Sequence, residues 1–405
     1  MTGSLTRPRT TGLLSARRER PTTLAEAAEL LRTTTGPVLL EGAGTSLDWA
    51  GRVEAPELVL ETTGMQGLLT HNPGDMTASV RAGTPLAALQ DALAEQGQWL
   101  ALDPPAASCG ATVGGLLAAG DTGPSRLRYG GLRDLVIGVT LVLADGTVAR
   151  SGGHVIKNVA GYDLAKLVHG SLGSLALVAE VVVRLHQRPA SSLTLTGAAD
   201  AAQATAAALA LMASPLEPSA VEWVGEVAGG QVLVRTDGTP ATVDAASRAL
   251  QALLAPLGVV LRPLDAVDAA AAWSAHATAV LGDEDETVLR VAGLPSDLAG
   301  VAGHAVTAAG RSGLSAALVS SAAVGTSTVR LRGPGAAAHA DVLTAVRRHV
   351  LAAGGTVLLR QRSADLDVLV DALGPAPSTA PLLRRVKAQF DPTGRLAPGR
   401  FSPWF

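Results

Sequence analysis

Apolar positions along this chain recur with two spacings, a period of two in short runs and a period near 3.6 in longer ones, so both strands and helices are predicted. The first twenty residues are polar and basic and predict a frayed start. Thr23-Leu-Ala-Glu26 has the spacing of a capping box and opens a helix to about Arg32. Val38–Glu41 then reads as a buried strand, followed at once by Gly42-Ala43-Gly44-Thr45-Ser46. Leu58–Glu61 and Thr77–Arg81 are further strands. Thr84-Pro85 offers a cap and a first-turn proline for a helix to about Gln96, with Leu86, Leu89 and Leu93 on one face. Residues 104–131 show no period and read as a long loop of the functional kind. A strand at 135–143, a turn at Asp145-Gly146 and a return at 147–150 form a hairpin. Residues 175–185 form a β-branched run fit for a central strand, and 189–192 mark a boundary.

Beyond that boundary strand-like and Ala-rich helix-like stretches alternate. The order is strand 193–197, helix 200–214, strands 219–225 and 231–236, helix 243–256, strand 258–263. After a connector it recurs: strand 287–292, helix 296–310, strands 314–321 and 327–332, helix 336–353, strand 355–360. Each half spells β-α-β-β-α-β, the ferredoxin-like order. Two such units placed side by side make one sheet, with helices on one face and the other turned toward a ligand or a partner. The fold class is α+β.

Composition narrows the function. The 405 residues carry a formal net charge of −3, which gives no basic footprint for nucleic acid and no polybasic membrane patch. One Cys excludes an internal disulfide and a cysteine-ligated metal, and the eight His show no H-x-x-x-H spacing. The mean hydropathy of +0.30 comes largely from Ala. The uncharged stretch 104–120 is broken by Gly and Pro, unlike the roughly 20 apolar residues of a membrane span, and the N-terminus shows no signal-peptide core. A cytoplasmic protein is expected, resting at the inner face of the cell membrane only through partners.

Two Gly-rich segments carry the candidate chemistry. Glycines after a buried strand let backbone N–H groups converge on phosphate oxygens. In Gly42-x-Gly44 a phosphate cradle and an ordinary tight turn both remain open. The dinucleotide fingerprint fails, because Leu47 stands where a third glycine belongs and Gly51 and Pro56 interrupt the helix that should follow. Glu61 therefore loses its claim to a ribose. The second segment joins Leu102-Asp-Pro104-Pro105, Ala111-Thr112-Val113-Gly114-Gly115 and Ala118-Ala119-Gly120-Asp-Thr-Gly123-Pro124. Its small residues would let a flat aromatic ligand lie against backbone; a flexible loop is the alternative.

Three motifs in one order favour the ligand: Gly-Gly-Leu-Arg-Asp-Leu-Val-Ile-Gly at 130–138, Gly-Gly-His-Val-Ile-Lys-Asn-Val-Ala-Gly-Tyr-Asp-Leu at 152–164, and Gly-Ser-Leu-Gly-Ser-Leu-Ala-Leu-Val-Ala-Glu-Val at 170–181. Together they resemble the FAD-binding domain, of the PCMH type, of the vanillyl-alcohol oxidase superfamily, and within it the FAD-binding subunit of bacterial glycolate oxidase. The resemblance runs from about residue 20 to 190 and resumes in Phe390-Asp-Pro-Thr-Gly-Arg-Leu-Ala-Pro-Gly-Arg400. It implies a two-part FAD-binding domain over 1–190, a cap over 191–375, and a segment 376–405 returning to the FAD domain. By position it implies that Gly42, Ala43, Gly44, Thr45 and Ser46 cradle the pyrophosphate of a non-covalent FAD. Pro104, Thr112, Val113, Gly114, Gly115, Ala118, Ala119, Gly120 and Gly123 would line the flavin and its ribityl chain, Val178 the adenine side, and Arg400 remains a candidate. Lys157, Asn158, Tyr162 and Asp163 lie in a matching stretch without assigned roles. Ala397 stands where similar proteins usually have Asn, which weakens any side-chain contact from that position.

The resemblance also implies partners: a longer FAD-containing catalytic subunit and an iron–sulfur subunit, with a small hydroxy acid as the substrate of the complex. Relatives that oxidise 2-hydroxy acids alone carry a C-terminal G-D-G-N-x-H stretch, which this chain lacks; Gly303-His304 and His339-Ala-Asp341 are the nearest fragments and read as surface helix. A self-sufficient dehydrogenase and a structural flavin subunit without turnover stay open. Among lone groups, Cys109 reads as a buried, inert thiol rather than a flavin tether, and His169 as a packed or half-exposed histidine rather than a flavin tuner. The acidic run Asp283-Glu-Asp-Glu286 reads as a solvated loop or a docking contact. Trp404 and Phe405 pack on the FAD domain or reach another subunit.

Overall fold

The computed structural model describes residues 16–155 and 161–405, so Lys157 and Asn158 lie outside the described residues. The chain forms two compact units. The first comprises the chain up to Gly123, Gly130–Arg188 and Pro375–Phe405; the second comprises Pro124–Tyr129 and Pro189–Gly374.

In the first unit a small parallel sheet runs β1 (Arg17–Glu19), β3 (Leu58–Glu61), β2 (Val38–Glu41), with helix α1 (Leu24–Thr33) between β1 and β2. The helix starts where the sequence predicts. Thr23 Oγ1 accepts from the Glu26 amide at 3.2 Å, but the Glu26 carboxylate reaches back one residue further, to the Thr22 amide at 2.8 Å. Ala27, Ala28 and Leu31 of α1 pack with Val38, Leu58 and Leu60 in one core cluster.

A second, five-stranded sheet follows, from β4 (Leu68–Asn72), β5 (Thr77–Arg81), β6 (Val136–Val142), β7 (Val148–Gly152) and β8 (Leu177–Arg184), in the order β4-β5-β8-β6-β7. Between β5 and β6 stand α2 (Leu86–Ala94) and α3 (Val113–Ala119). Two expectations change here. Thr84 does not cap α2: its hydroxyl donates to Arg81 O at 2.7 Å and accepts from Gly67 N at 2.8 Å, leaving Pro85 at the cap position. Residues 104–131 are not one loop either, because α3 lies inside them, capped by Thr112 Oγ1 on the Gly115 amide at 3.2 Å. Two glycines in its first turn hide the helical period.

The C-terminal segment is tied to β2. Val38 N donates to Arg395 O and Ala397 N donates to Val38 O, both at 2.8 Å. Asp391, 1% exposed, accepts from Lys387 Nζ at 2.6 Å and from the amides of Leu396 at 2.7 Å and Arg395 at 3.1 Å. Burial alone would raise this carboxyl; the bonds from Lys387 and the two amides outweigh it and hold it below the usual aspartate range. The Arg395 guanidinium closes the corner on the carbonyls of Leu31, Thr34 and Ala144. Phe-Asp-Pro-Thr-Gly-Arg is thus a turn built around one buried carboxylate.

The second unit is one eight-stranded antiparallel sheet. Its first half holds β9 (Ser191–Ala198), α4 (Ala201–Met212), β10 (Ala220–Glu226), β11 (Gly229–Gly238), α5 (Pro240–Leu254) and β12 (Arg262–Pro263). Helix α6 (Ala266–Leu281) follows. The second half holds β13 (Thr287–Ala292), α7 (Leu298–Arg311), β14 (Ser315–Ser321), β15 (Thr326–Arg332), α8 (Ala336–Ala352) and β16 (Thr356–Gln361). The strand order is β12-β9-β11-β10-β14-β15-β13-β16, so the two β-α-β-β-α-β halves meet along β10 and β14. Leu195, Val221, Trp223, Val232 and Val234 face α4, α5, α7 and α8 across one core.

The connector holds a helix the sequence reading missed. α6 is capped by Asp265, which accepts from the Asp268 amide at 2.8 Å. It lies on the opposite face of the sheet, where alternation turns Thr194 and Glu222. Trp273 Nε1 donates to Thr194 Oγ1 at 2.9 Å, and His276 Nε2 meets Glu222 Oε2 at 2.8 Å with both side chains buried. The face expected to be open is therefore covered over its first half. The acidic run is solvated at Asp283, Glu284 and Asp285, as expected of a loop, while Glu286 is buried; Asp283 and Glu286 pair with Arg330 at 3.1 and 2.7 Å, and both also pair with Arg332.

Candidate cofactor site

β2 ends at Glu41, and the chain turns through Gly42–Ser46 into a loop that forms one wall of a cavity of roughly 690 Å³, open to solvent. Gly44 holds φ at +75°, a conformation open to glycine at little cost. The amides of Ala43, Gly44 and Ser46 make no hydrogen bond to the described residues. Backbone donors left unmet in a partly covered loop are a ready site for an anion.

The facing wall comes from α3. Gly42 packs against Thr112 so closely that a Cβ there would collide with the threonine hydroxyl. Likewise a Cβ on Gly114 would stand 2.7 Å from that of Ala82. The amides of this wall are already used: Val113 N donates to Thr84 O at 3.0 Å, Gly114 N to Ala82 O at 2.8 Å, and Gly115 N to Thr112 Oγ1. α3 thus supplies a smooth packing surface, while the donors come from the loop. Ala118 and Ala119 extend that surface, and Leu172, Gly173, Ala176, Leu177 and Val178 close the third side.

Two charged side chains line the cavity among the described residues, Glu41 and Arg400. Arg400 is 3% exposed, and its Nη1 donates to the carbonyls of Leu47, Trp49 and Gly51 at 2.7, 2.8 and 3.1 Å. It therefore shapes the chain after the cradle and brings a positive charge to the cavity rim. Glu41 is 7% exposed and pairs with Arg18, which also holds Glu61. Burial by itself lowers the Arg18 guanidinium, but the two carboxylates outweigh it and push it above its ordinary value.

Of the residues expected to hold the cofactor, Gly42–Ser46, Thr112, Gly114, Gly115, Ala118, Ala119, Val178 and Arg400 come together around this cavity. Pro104, Val113, Gly120 and Gly123 do not reach its wall. Val113 is fully buried behind it, Gly120 ends α3 at φ +60°, and Gly123 packs against Asp103. Glu41, Thr62 and Leu172 line it without having been singled out. Leu172 takes φ +50° in Gly170-Ser-Leu-Gly173, a motif whose glycines could have pointed to it. Cys109 lies outside the wall, beside Ser108. Among the described residues no group of three or more His, Cys, Asp or Glu side chains is placed to hold a metal ion. No helix among them is long and apolar enough to cross a membrane.

Unmet amides on one wall and a close-packed Gly/Ala face on the other suit a diphosphate that leads to a flat ring system, which is the shape of FAD. Comparison with known proteins agrees. Residues 16–152 match the model of an FAD binding domain. The chain is 36% identical over 159 residues to glycolate oxidase subunit GlcE of Escherichia coli (strain K12), a match covering 39% of this chain and 45% of that subunit. It is 29% identical over 429 residues to an uncharacterized FAD-linked oxidoreductase of Mycobacterium tuberculosis (strain CDC 1551 / Oshkosh), covering 94% of this chain and 89% of the relative. The fold is shared with p-cresol methylhydroxylase, with a TM-score of 0.71 at 14% identity over 95% of this chain and 88% of that one. The architecture is thus that of the vanillyl-alcohol-oxidase-type flavoproteins. Residues 16–152 are a PCMH-type FAD-binding domain, and FAD is the cofactor of this chain.

Proposed function

We propose that this chain is the FAD-binding subunit of a multi-subunit dehydrogenase that oxidises a 2-hydroxy acid such as glycolate. It works beside a longer FAD-containing catalytic subunit and passes electrons to an iron–sulfur subunit. The observation that carries the reading is the likeness to the glycolate oxidase subunit, in a chain whose cavity has the donors for the FAD diphosphate. When bound, FAD supplies the capacity to accept a hydride from a carbon bearing a hydroxyl. The chain's own residues bind and orient it: the Ala43, Gly44 and Ser46 amides hold the diphosphate, α3 backs the ring system, and Arg400 fixes the loop after the cradle. Attachment is non-covalent, since 42–49 contains no His to form a tether. The complex works in the cytoplasm and touches the membrane only through partners.

The chain lacks the G-D-G-N-x-H stretch that would supply a base for the hydroxyl proton, and general-base help is typically worth about 10²–10⁴-fold in rate. Oxidation by this chain alone is therefore slow. The likeness to a single FAD-linked oxidoreductase along nearly the whole chain favours a second reading, a self-sufficient dehydrogenase. Anaerobic stopped-flow mixing of the purified chain with glycolate, D-lactate and 2-hydroxyglutarate separates the two. Flavin that stays oxidised, together with a second flavoprotein and an iron–sulfur chain co-purifying from the native host, supports the subunit. Rapid bleaching by any one acid, lost in Lys157→Ala, overturns it in favour of the second reading.

A further inference from the structure

Among the described residues Glu41 is the one acid in the wall of a cavity that must hold a diphosphate. It closes β2 directly before the cradle and is directly opposite Glu61 in the register of β2 and β3. Arg18, arriving on β1, spans both: Nη2 donates to Glu41 Oε2 at 2.8 Å and Nε to Glu61 Oε1 at 2.7 Å. Two carboxylates and one guanidinium leave a net negative charge behind the cradle. The other Glu41 oxygen, Oε1, has no hydrogen-bond partner among the described residues. It lies 3.4 Å from where a Cβ on Gly44 would stand. A carboxylate oxygen placed beside phosphates is repulsive unless a donor stands next to it. A hydroxyl of the bound molecule that donates to it offsets that repulsion.

We propose that Glu41 is the hydroxyl-recognising group of the FAD cavity. Its Oε1 accepts a hydrogen bond from a sugar-type hydroxyl of the bound cofactor, on the adenosine ribose or on the ribityl chain. Arg18 is the positioning residue that fixes Oε2 and offsets the charge. The inference rests on FAD as cofactor and is independent of the substrate.

The test strips FAD from the full chain and measures rebinding of FAD, ADP and FMN by calorimetry. In Glu41→Gln the amide oxygen stays with Arg18 and the NH₂ group faces the cavity, turning an acceptor into a donor. A hydrogen bond to a charged acceptor is worth enough that its loss should weaken FAD binding by roughly tenfold or more. ADP weakened in parallel assigns the ribose hydroxyl, and FMN weakened in parallel assigns the ribityl chain. Arg18→Met should also weaken FAD, and Arg18→Met combined with Glu41→Gln should bind no more weakly than Glu41→Gln alone, because Arg18 acts through Glu41. FAD bound as tightly or more tightly by folded Glu41→Gln overturns the proposal, since that is the result for a carboxylate that only repels the diphosphate. Weakening of FAD with neither fragment affected overturns it too, as a general disturbance of the cavity. Should Glu41→Gln fail to fold, Glu41→Ala provides the same comparison.

Discussion

Gly44 shows how much of the cofactor site hangs on single residues. At φ +75° any other L-residue is strained by about 1–2 kcal/mol, and an added side chain would approach Glu41 Oε1. Gly44→Asp adds a second carboxylate where a diphosphate must sit. The purified variant should lose its FAD on desalting while its far-ultraviolet circular dichroism is unchanged; a folded variant with full flavin content would refute the cradle. The glycines of this loop were legible in the sequence because their spacing follows a strand. Glu41 was not, since an acid at the end of a strand has no pattern of its own. Only the fold brings Arg18 and Glu61 to it across two neighbouring strands, and the dinucleotide rule directed attention to Glu61 instead.

Among the elements, those with a clean period were read correctly and those without were missed. Val38–Glu41, Leu58–Glu61 and Thr77–Arg81 were predicted to the residue, because each is a short apolar or alternating run with breakers on both sides. α3 escaped because Gly114 and Gly115 occupy its first turn, and α6 because its Ala-rich face carries few large apolar residues. α6 is held instead by the pair of His276 with Glu222. Leaving a buried polar group without its hydrogen-bond partner typically costs about 1–3 kcal/mol, so His276→Leu should lower stability to urea by about that much. The double variant with Glu222→Leu should regain part of it; an unchanged midpoint for His276→Leu would show that α6 is held by other contacts. The C-terminal turn makes a prediction in pH. The folded value of the Asp391 carboxyl lies below its unfolded one, so ionised Asp391 stabilises the fold above about pH 4. That contribution is lost as pH falls through the folded value. Asp391→Asn should therefore be less stable than the parent near neutrality, with the gap closing as urea melts are taken below about pH 4. A gap that stays constant into acid would sink the assignment.

At the scale of the molecule, FAD binding and the fold of the first unit are linked, because every residue that lines the cavity belongs to that unit. FAD at a hundred times its dissociation constant should stabilise it by about 2.7 kcal/mol. Hydrogen exchange should slow in β2, the cradle and α3 when FAD is added, and slowing confined to the second unit would place the cofactor elsewhere. The doubling of the second unit was legible as an alternation of periods, although its two halves share no visible residue pattern. Counted outward from the β10–β14 seam, each half presents its second, third, first and fourth strand in turn, so the sheet repeats itself about its own middle. Two separate half-length chains would meet in this way, each covering the bare edge of the other. Joining them through the segment that carries α6 turns a concentration-dependent encounter into an internal one. The arrangement is that of two like halves held together as one sheet within a single chain. A chain severed after β12 should accordingly lose its sheet to aggregation until the missing half is returned to it.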